Sequence, residues 1–270
     1  MKKDLVGKLA VLAILVAIIY IPTFIWMFNS WNVADSYYSH GPLVPLIAIF
    51  IFWLKRKQLK SLKIKPSHAG WLFLTPGIFI QLLSAVWRVN FTSGISLLLV
   101  IPGIVLLFLG PSVLRLLWFP IAFLTFMLPL PMVAIANISF KLKIFAAQMA
   151  TWMVNAMGIP AIREGSVIKT HNAHLTVEDP CSGIRSLIAL IALGALMAYF
   201  SRLSRPKKLI LFAASLPIAV LANVIRIIVL TLVSEIYGMH LATGFFHDMM
   251  GYAVFALAFF GLAFVAKIME

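Results

Sequence analysis

The sequence predicts an all-α membrane protein, a bundle of about eight transmembrane helices. Hydrophobic residues occupy 63% of the 270 positions and charged residues only 11%. The mean hydropathy is +1.05, and apolar runs of membrane-spanning length recur from one end of the chain to the other. A soluble globular domain could not bury so much apolar surface. We therefore predict one integral membrane domain that covers residues 1–270.

The predicted spans follow the apolar runs in order. They lie near residues 5–28, 40–54, 70–86, 94–110, 113–130, 183–201, 207–235 and 246–266. The first run follows Lys2, Lys3 and Lys8, as in a signal peptide. It is longer than a signal-peptide core and has no small-residue cleavage site, so we interpret it as a retained helix.

The segment 132–157 is apolar but is not predicted to cross the membrane. Lys141 and Lys143 lie near its centre, and Pro129 and Pro131 just before it favour a break in the chain. We predict an amphipathic helix that lies in the outer interface or enters the bundle from the outer side. If this segment crossed, the basic loops on either side of it would fall on opposite faces of the membrane.

The net charge of +14 indicates orientation rather than nucleic-acid binding. Basic residues cluster between Lys55 and Lys65 and again between Arg202 and Lys208, as in cytoplasmic loops. With both clusters inside, both termini are predicted to be cytoplasmic. The outer face then carries the segment 158–182 and the start of the last span. No nucleic-acid partner is expected.

The stretch 158–180 predicts a small β-hairpin on the outer face. It alternates polar and β-branched residues and contains a polar turn near His171 and Asn172. His171 and His174 are three residues apart, so alternation would place them on opposite faces. Because no carboxylate pattern accompanies them, we predict no metal site and no cofactor.

Cys181 is the only cysteine in the chain. It follows Pro180 where a polar loop ends and an apolar helix is predicted to begin. Backbone N–H groups and the positive end of the helix dipole at such a position favour the thiolate. A small buried hydrophobic residue is the alternative interpretation.

Two further side chains are unusual near a membrane. Arg226 lies in the outer half of the span 207–235, with Asn223 three residues before it on roughly the same face. An arginine in a span usually faces the bundle interior and marks function, although it could instead reach the headgroups or pair with an acid. His247 opens the last span on the same outer side, where it could act as a base or merely cap the helix. His40 is a competing base or a substrate-positioning residue.

Five short motifs together resemble a known family. They begin at Tyr38-Ser39-His40-Gly41, Arg163-Glu164-Gly165, Cys181-Ser182-Gly183-Ile184-Arg185, Asn223-Val224-Ile225-Arg226, and His247 with Gly251. In this order and spacing they resemble the exosortase and archaeosortase family of polytopic membrane cysteine transpeptidases. The resemblance implies that Cys181 is the nucleophile, Arg226 the essential arginine and His247 the third member of a triad. Asn223, His40 and Arg185 become candidates for positioning the substrate.

The resemblance also implies the reaction and its partners. Such enzymes cleave a C-terminal sorting signal, which comprises a short motif, a transmembrane helix and a basic tail, from secreted proteins. Cleavage would pass through a thioester, with possible transfer to an anchor such as a membrane lipid. The predicted location is the cytoplasmic (inner) membrane, with the active site on the outer, periplasmic side. A transporter that binds an anion at Arg226, or a non-catalytic assembly factor for envelope polymer export, remains an alternative.

Overall fold

The computed structural model describes residues 3–34, 36–177, 184–238, 240 and 245–270. The protein is 79% helical with one small sheet, in agreement with the predicted helical membrane protein. Its contacts divide it into two compact units, Met1–Leu130 and Pro131–Glu270. That the two units form a single membrane domain stays a prediction.

All the regular secondary structure in the described residues of the first unit is helical. Its α-helices are α1 (Lys3–Ile19), α2 (Ile21–Asn32), α3 (Leu43–Leu54), α4 (Arg56–Ser61), α5 (Trp71–Trp87), α6 (Asn90–Phe108) and α7 (Pro111–Phe123). Two short 3-10 helices, His68–Gly70 and Leu124–Met127, precede α5 and extend α7.

The first predicted span is broken rather than straight. α1 and α2 meet at Tyr20 and are bent by 63° relative to each other. Pro22 is the second residue of α2. Because proline has no backbone N–H, it cannot donate to the carbonyl one turn earlier, and a bend costs little at that point.

A chain of polar side chains fixes α2 beside the bend. The hydroxyls of Thr23 and Ser93 are 2.5 Å apart, and Ser93 donates to Gln81 Oε1 at 2.6 Å. Tyr20 is hydrogen-bonded to Ser96. Buried polar groups are costly in apolar surroundings unless they are paired, so this network stabilises the contacts of α6 with α2 and with α5.

The second unit places three strands between its helices. Its elements are α8 (Met132–Ala156), β1 (Ile162–Glu164), β2 (Val167–Lys169), β3 (His174–Thr176), α9 (Ile184–Phe200), α10 (Arg205–Tyr237) and α11 (Phe245–Met269). α10 is the central helix and contacts α8, α9 and α11. Its 33 residues correspond to about 50 Å, more than the ~30 Å hydrocarbon core of a bilayer.

The predicted number of spans is not confirmed. By length and composition, five helices in the described part of the chain are able to cross a membrane, or six if α1 and α2 form one broken span. The runs predicted at 40–54, 113–130 and 183–201 form apolar helices of at most 17 residues. Such a helix is about 26 Å long or shorter, which is less than a typical hydrocarbon core.

The segment predicted to lie in the interface forms α8, a continuous helix. Its 25 residues are also long and apolar enough to cross a membrane. Ala146, Ala147 and Ala150 are buried in the core of the second unit, whereas Lys141 is exposed. A helix in the interface and a helix that crosses the membrane are both compatible with these features. The interfacial placement of α8 therefore stays a prediction.

The predicted hairpin is a three-stranded antiparallel sheet in the order β1-β2-β3. The turn near His171 and Asn172 joins β2 to β3, as the sequence predicts. A second turn at Gly165 and Ser166, which the sequence interpretation missed, joins β1 to β2. Gly165 has a φ of +62° there, a conformation that favours glycine.

Candidate functional site

Arg226 is buried within the second unit. Only 8% of its surface is exposed, and Asn223, three residues earlier in α10, is 5% exposed. Their spacing places both side chains on roughly one face of the helix. An arginine on the lipid-facing side would be exposed here, so α10 turns this face toward the interior of its unit.

Helix α11 approaches the guanidinium of Arg226 at Gly251. A Cβ atom built on Gly251 would lie 3.8 Å from Nη2 of Arg226. The backbone of His247 lies four residues earlier in α11, about 6 Å farther along the helix axis. The structure thus brings the backbone of His247 to within about one helical turn of Gly251, where α11 comes near Arg226.

Cys181 lies outside the described residues, together with the other residues of 178–183. The described residues on either side of this segment, Val177 and Ile184, are 1% and 2% exposed. The backbone N–H of Val177 donates to the carbonyl of Ser166 at 3.0 Å. With at most about 3.6 Å per residue, Cys181 can be no farther than about 15 Å from Val177 along the chain.

The neighbours of the three predicted triad residues share one hydrophobic core. This cluster contains Val177, which precedes Cys181, and Val224 and Ile227, which flank Arg226. Phe246 and Met250, which flank His247, pack against the same cluster. Three separate parts of the chain therefore meet at this core. The roles of the three residues stay a proposal.

The other candidates lie at different places. Arg185 is the second residue of α9 and is half-buried. His40 belongs to the first unit, where its ring stacks on Tyr38 with the ring centres 5.9 Å apart. The hydroxyl of Tyr38 accepts a hydrogen bond from the backbone N–H of Leu130 at 3.0 Å. Trp31 covers Gly41 next to this pair.

Both ring nitrogens of His40 are buried, and neither forms a hydrogen bond with a described residue. Burial lowers the pKa of His40, and the backbone carbonyl of Phe126 opposes this effect without reaching hydrogen-bond geometry. A neutral imidazole offers one donor and one acceptor. Burial therefore favours the neutral form of His40.

His40→Gln is expected to reduce the acid sensitivity of the first unit. Because burial lowers the pKa of His40, the unfolded chain binds its proton at a higher pH than the folded chain. The part of the free energy of unfolding that depends on neutral His40 is fully present above the pKa of the unfolded chain, about 6.5. It is lost as the pH falls toward the lower pKa of His40 in the folded protein. Thermal unfolding in detergent between about pH 7.5 and pH 5 measures the difference. His68→Gln, at an exposed position, serves as the control. Equal pH slopes for wild type and His40→Gln would contradict the expectation.

Glu235 is a site that the sequence interpretation missed. It lies in the last turn of α10, and its carboxylate accepts hydrogen bonds from Thr170 and Asn172 in the turn between β2 and β3. The sequence contained one signal for this site, a single acidic residue in the last turn of an apolar helix. Its partners are more than sixty residues away, so the sequence did not indicate them.

The described residues contain no group of three His, Cys, Asp or Glu side chains that could hold a metal ion. His171 and His174, the pair that the sequence drew attention to, are both exposed. Arg226 and Asn223 instead supply hydrogen-bond donors and a positive charge. Such groups can stabilise a developing negative charge or bind an anion.

The apolar helices and the buried arginine define an integral membrane protein with a polar site inside its second helical unit. The chain belongs to the transmembrane exosortase family, because the model of that family, described as "Transmembrane exosortase", matches residues 26–264. This membership supports a membrane sorting transpeptidase in general. Neither the curated proteins nor the solved structures contain a significant match.

Proposed function

We propose that this protein is a membrane-embedded cysteine peptidase or transpeptidase that cleaves the C-terminal sorting signal of secreted proteins. The main support is the convergence in the second unit: Arg226 lies next to Gly251, one turn from His247. Val177, four residues before Cys181, belongs to the core that also contains the neighbours of Arg226. Thiol, guanidinium and imidazole are the groups that acyl transfer needs.

The reaction begins when the Cys181 thiolate attacks the carbonyl carbon of the scissile peptide bond. Arg226 stabilises the oxyanion of the tetrahedral intermediate or orients the peptide. The C–N bond then breaks, His247 protonates the departing amine, and the carbonyl carbon remains bound to sulfur as a thioester. An amine or water, deprotonated by His247, attacks the thioester carbonyl; the C–S bond breaks and the Cys181 thiolate leaves, while the proton stays on His247. An amine on an anchor such as a membrane lipid gives transfer, and water gives hydrolysis.

The proposed orientation follows from the charge distribution. The basic segments from Lys55 to Lys65 and from Arg202 to Lys208 are assigned to the cytoplasmic side of the inner membrane. Both termini then lie in the cytoplasm, and the site opens to the outer, periplasmic face. The substrate helix is held in the membrane with its basic tail in the cytoplasm, because the same rule applies to that tail.

A secreted reporter tests the substrate requirement. One version carries a complete C-terminal signal of motif, transmembrane helix and basic tail, and matched versions lack one part each. We expect membranes that contain the wild-type protein to shorten the complete reporter, as followed by gel mobility and mass spectrometry, and those with Cys181→Ala to leave it intact. Equal cleavage of a reporter without the motif would contradict the proposal.

Gly251→Leu tests whether the contact of α11 with Arg226 belongs to the site. A Cβ at Gly251 would be in ordinary van der Waals contact with Nη2 of Arg226 at 3.8 Å, so alanine fits. Leucine would displace the guanidinium. We expect Gly251→Leu to lower the rate of reporter cleavage about tenfold and Gly251→Ala to lower it less than about threefold.

Gly261→Leu is the matched control for this comparison. Gly261 lies in the same helix, and a Cβ there would be 3.4 Å from Cγ2 of Ile218 in α10. The control therefore disturbs packing between the same two helices without approaching Arg226. An equal loss in both leucine variants would assign the effect to packing and contradict a role of the Gly251 position in the site.

A further inference from the structure

We propose that Glu235 is a positioning residue that fixes the small sheet, and through it the chain leading to Cys181, relative to the helix that carries Arg226. This inference rests on the proposed function. Glu235 is not a catalytic residue, because it lies nine residues beyond Arg226, about 13 Å along the axis of α10. Its contacts are with the sheet.

The contact between Glu235 and the sheet consists of several hydrogen bonds. Oε2 of Glu235 accepts from the Thr170 hydroxyl at 2.5 Å and from the Asn172 backbone N–H at 3.0 Å. The Asn172 side-chain amide donates to Oε1 at 3.2 Å. One carboxylate thus uses both oxygens to hold a single turn, which fixes the position of the turn and also its orientation.

The turn transmits this position directly to β3. Its backbone is closed by a hydrogen bond of 2.9 Å from the N–H of Thr170 to the carbonyl of Ala173. β3 follows at once and pairs with β2 through Leu175 and Ile168, which are both buried. The strand then leads to Val177, the last described residue before Cys181. Only one short, hydrogen-bonded strand separates the turn from this segment.

The opposite end of the sheet is anchored to another helix. Nε of Arg163 in β1 donates to Oε1 of Gln148 in α8 at 2.8 Å, and its Nη1 donates to the carbonyl of Gly165 at 2.7 Å. Ser166 in the same turn accepts the hydrogen bond from Val177. These contacts give Arg163 and Gly165 a role in the fold, because they anchor the β1–β2 turn. Glu235 provides the anchor on α10.

The Glu235 anchor makes α10 a common reference for the sheet and for Arg226. α10 carries Arg226 in its buried part and Glu235 in its last turn. If the carboxylate is lost, the β2–β3 turn keeps its internal hydrogen bonds but loses its connection to α10. The side chains proposed to carry out the chemistry, Cys181, Arg226 and His247, are all still present. We therefore expect a lower rate of the chemical step with little effect on substrate binding, because catalysis is sensitive to misplacement by about 1 Å.

The test compares Glu235→Ala, Glu235→Gln and the control Glu164→Gln. Glu164 is an exposed acid on the same sheet that pairs with Lys169, so its replacement removes the same charge without touching the contact of Glu235 with Thr170 and Asn172. We expect kcat for reporter cleavage to fall about 10- to 30-fold in Glu235→Ala and less in Glu235→Gln, which keeps one acceptor oxygen. KM should change less than about twofold, and Glu164→Gln should match wild type.

Hydrogen exchange provides a second measurement that does not depend on activity. Amides of the peptide 166–177 should exchange faster in Glu235→Ala than in wild type or Glu164→Gln, while the melting temperature stays similar. If the amides of this peptide exchange at the wild-type rate in Glu235→Ala, Glu235 does not anchor the sheet. Faster exchange with unchanged kcat would overturn its positioning role. If Cys181→Ser still cleaves the reporter, the proposed function fails, and the exchange result still decides whether the anchor exists.

A double variant tests the route from Glu235 to the site. Thr170→Val removes the hydroxyl donor on the sheet side of the contact. If Glu235 acts through this turn, Glu235→Ala combined with Thr170→Val should be no slower than Glu235→Ala alone. Losses that multiply would show that Glu235 affects the reaction by another route and would overturn the proposal.

Discussion

Cys181→Ser is expected to lower kcat/KM for cleavage of the sorting signal by about 1,000-fold or more. The substitution exchanges one atom for a similar one, so the fold and the binding of the substrate should persist. A serine hydroxyl stays protonated where a thiol ionises, and it is a far weaker nucleophile without a dedicated base. The chain contains no second cysteine that could replace it. Quantitative cleavage of the complete reporter by purified protein, at equal protein level, measures the loss.

Cys181→Ala provides the comparison for this result. Alanine cannot attack at all, so it should match the serine variant if Cys181 is the nucleophile. Both variants should retain the melting temperature of the wild type. Cleavage within about threefold of wild type in either variant would contradict the peptidase proposal. In that case the transporter or assembly-factor alternative would be favoured.

Arg226→Lys is expected to lower kcat for the same reporter by about 100-fold or more. Lysine retains the positive charge but lacks the planar guanidinium with its several N–H donors. The side chain is 8% exposed, so solvent cannot replace the lost hydrogen bonds easily. If the guanidinium acts mainly on the transition state, kcat should fall and KM should change little. Single-turnover kinetics separate the two constants.

Arg202→Lys is the matched control, because Arg202 is exposed and precedes α10 in the same unit. The control should cleave at the wild-type rate. Arg226→Gln keeps part of the hydrogen-bonding capacity without the charge and should lose at least as much activity as Arg226→Lys. A loss smaller than about threefold in Arg226→Lys would indicate that the guanidinium has a structural role only.

The long helices of this protein could be predicted closely from the sequence. The span predicted at 207–235 corresponds to α10, Arg205–Tyr237, and the one at 70–86 to α5, Trp71–Trp87. In both cases a long apolar run follows a basic or polar segment and has a clear end. The number of spans was harder to predict, because α3 and α9 are apolar yet short. Hydropathy alone does not decide whether such helices cross a membrane.

The bend and the sheet required information that the sequence expresses only weakly. Pro22 lies early in the apolar run, where a proline can either start a helix or bend one, so the 63° break was not predicted. The strands of the sheet are three residues long, too short for a clear alternation. Gly165 was the one local indication of the additional turn.

The candidate site was predictable in part. The sequence drew attention to Arg226 because an arginine in a span is costly, and the structure shows that it is buried. It also placed His247 at the start of the last helix, which begins at Phe245. The contact of Glu235 with Thr170 and Asn172 could not be predicted, because it depends on how the sheet packs on the end of α10. Cys181 lies outside the described residues, so its role depends on family membership and on its flanking residues.

Mass spectrometry of the enzyme, quenched with acid during turnover of the complete reporter, tests whether Cys181 forms a covalent intermediate. We expect the peptide containing Cys181 to carry the acyl part of the cleaved reporter. The bond should be a thioester, so neutral hydroxylamine should release it. An acyl group on any other residue, or an acyl-enzyme that still forms in Cys181→Ser, would refute the proposed role of Cys181.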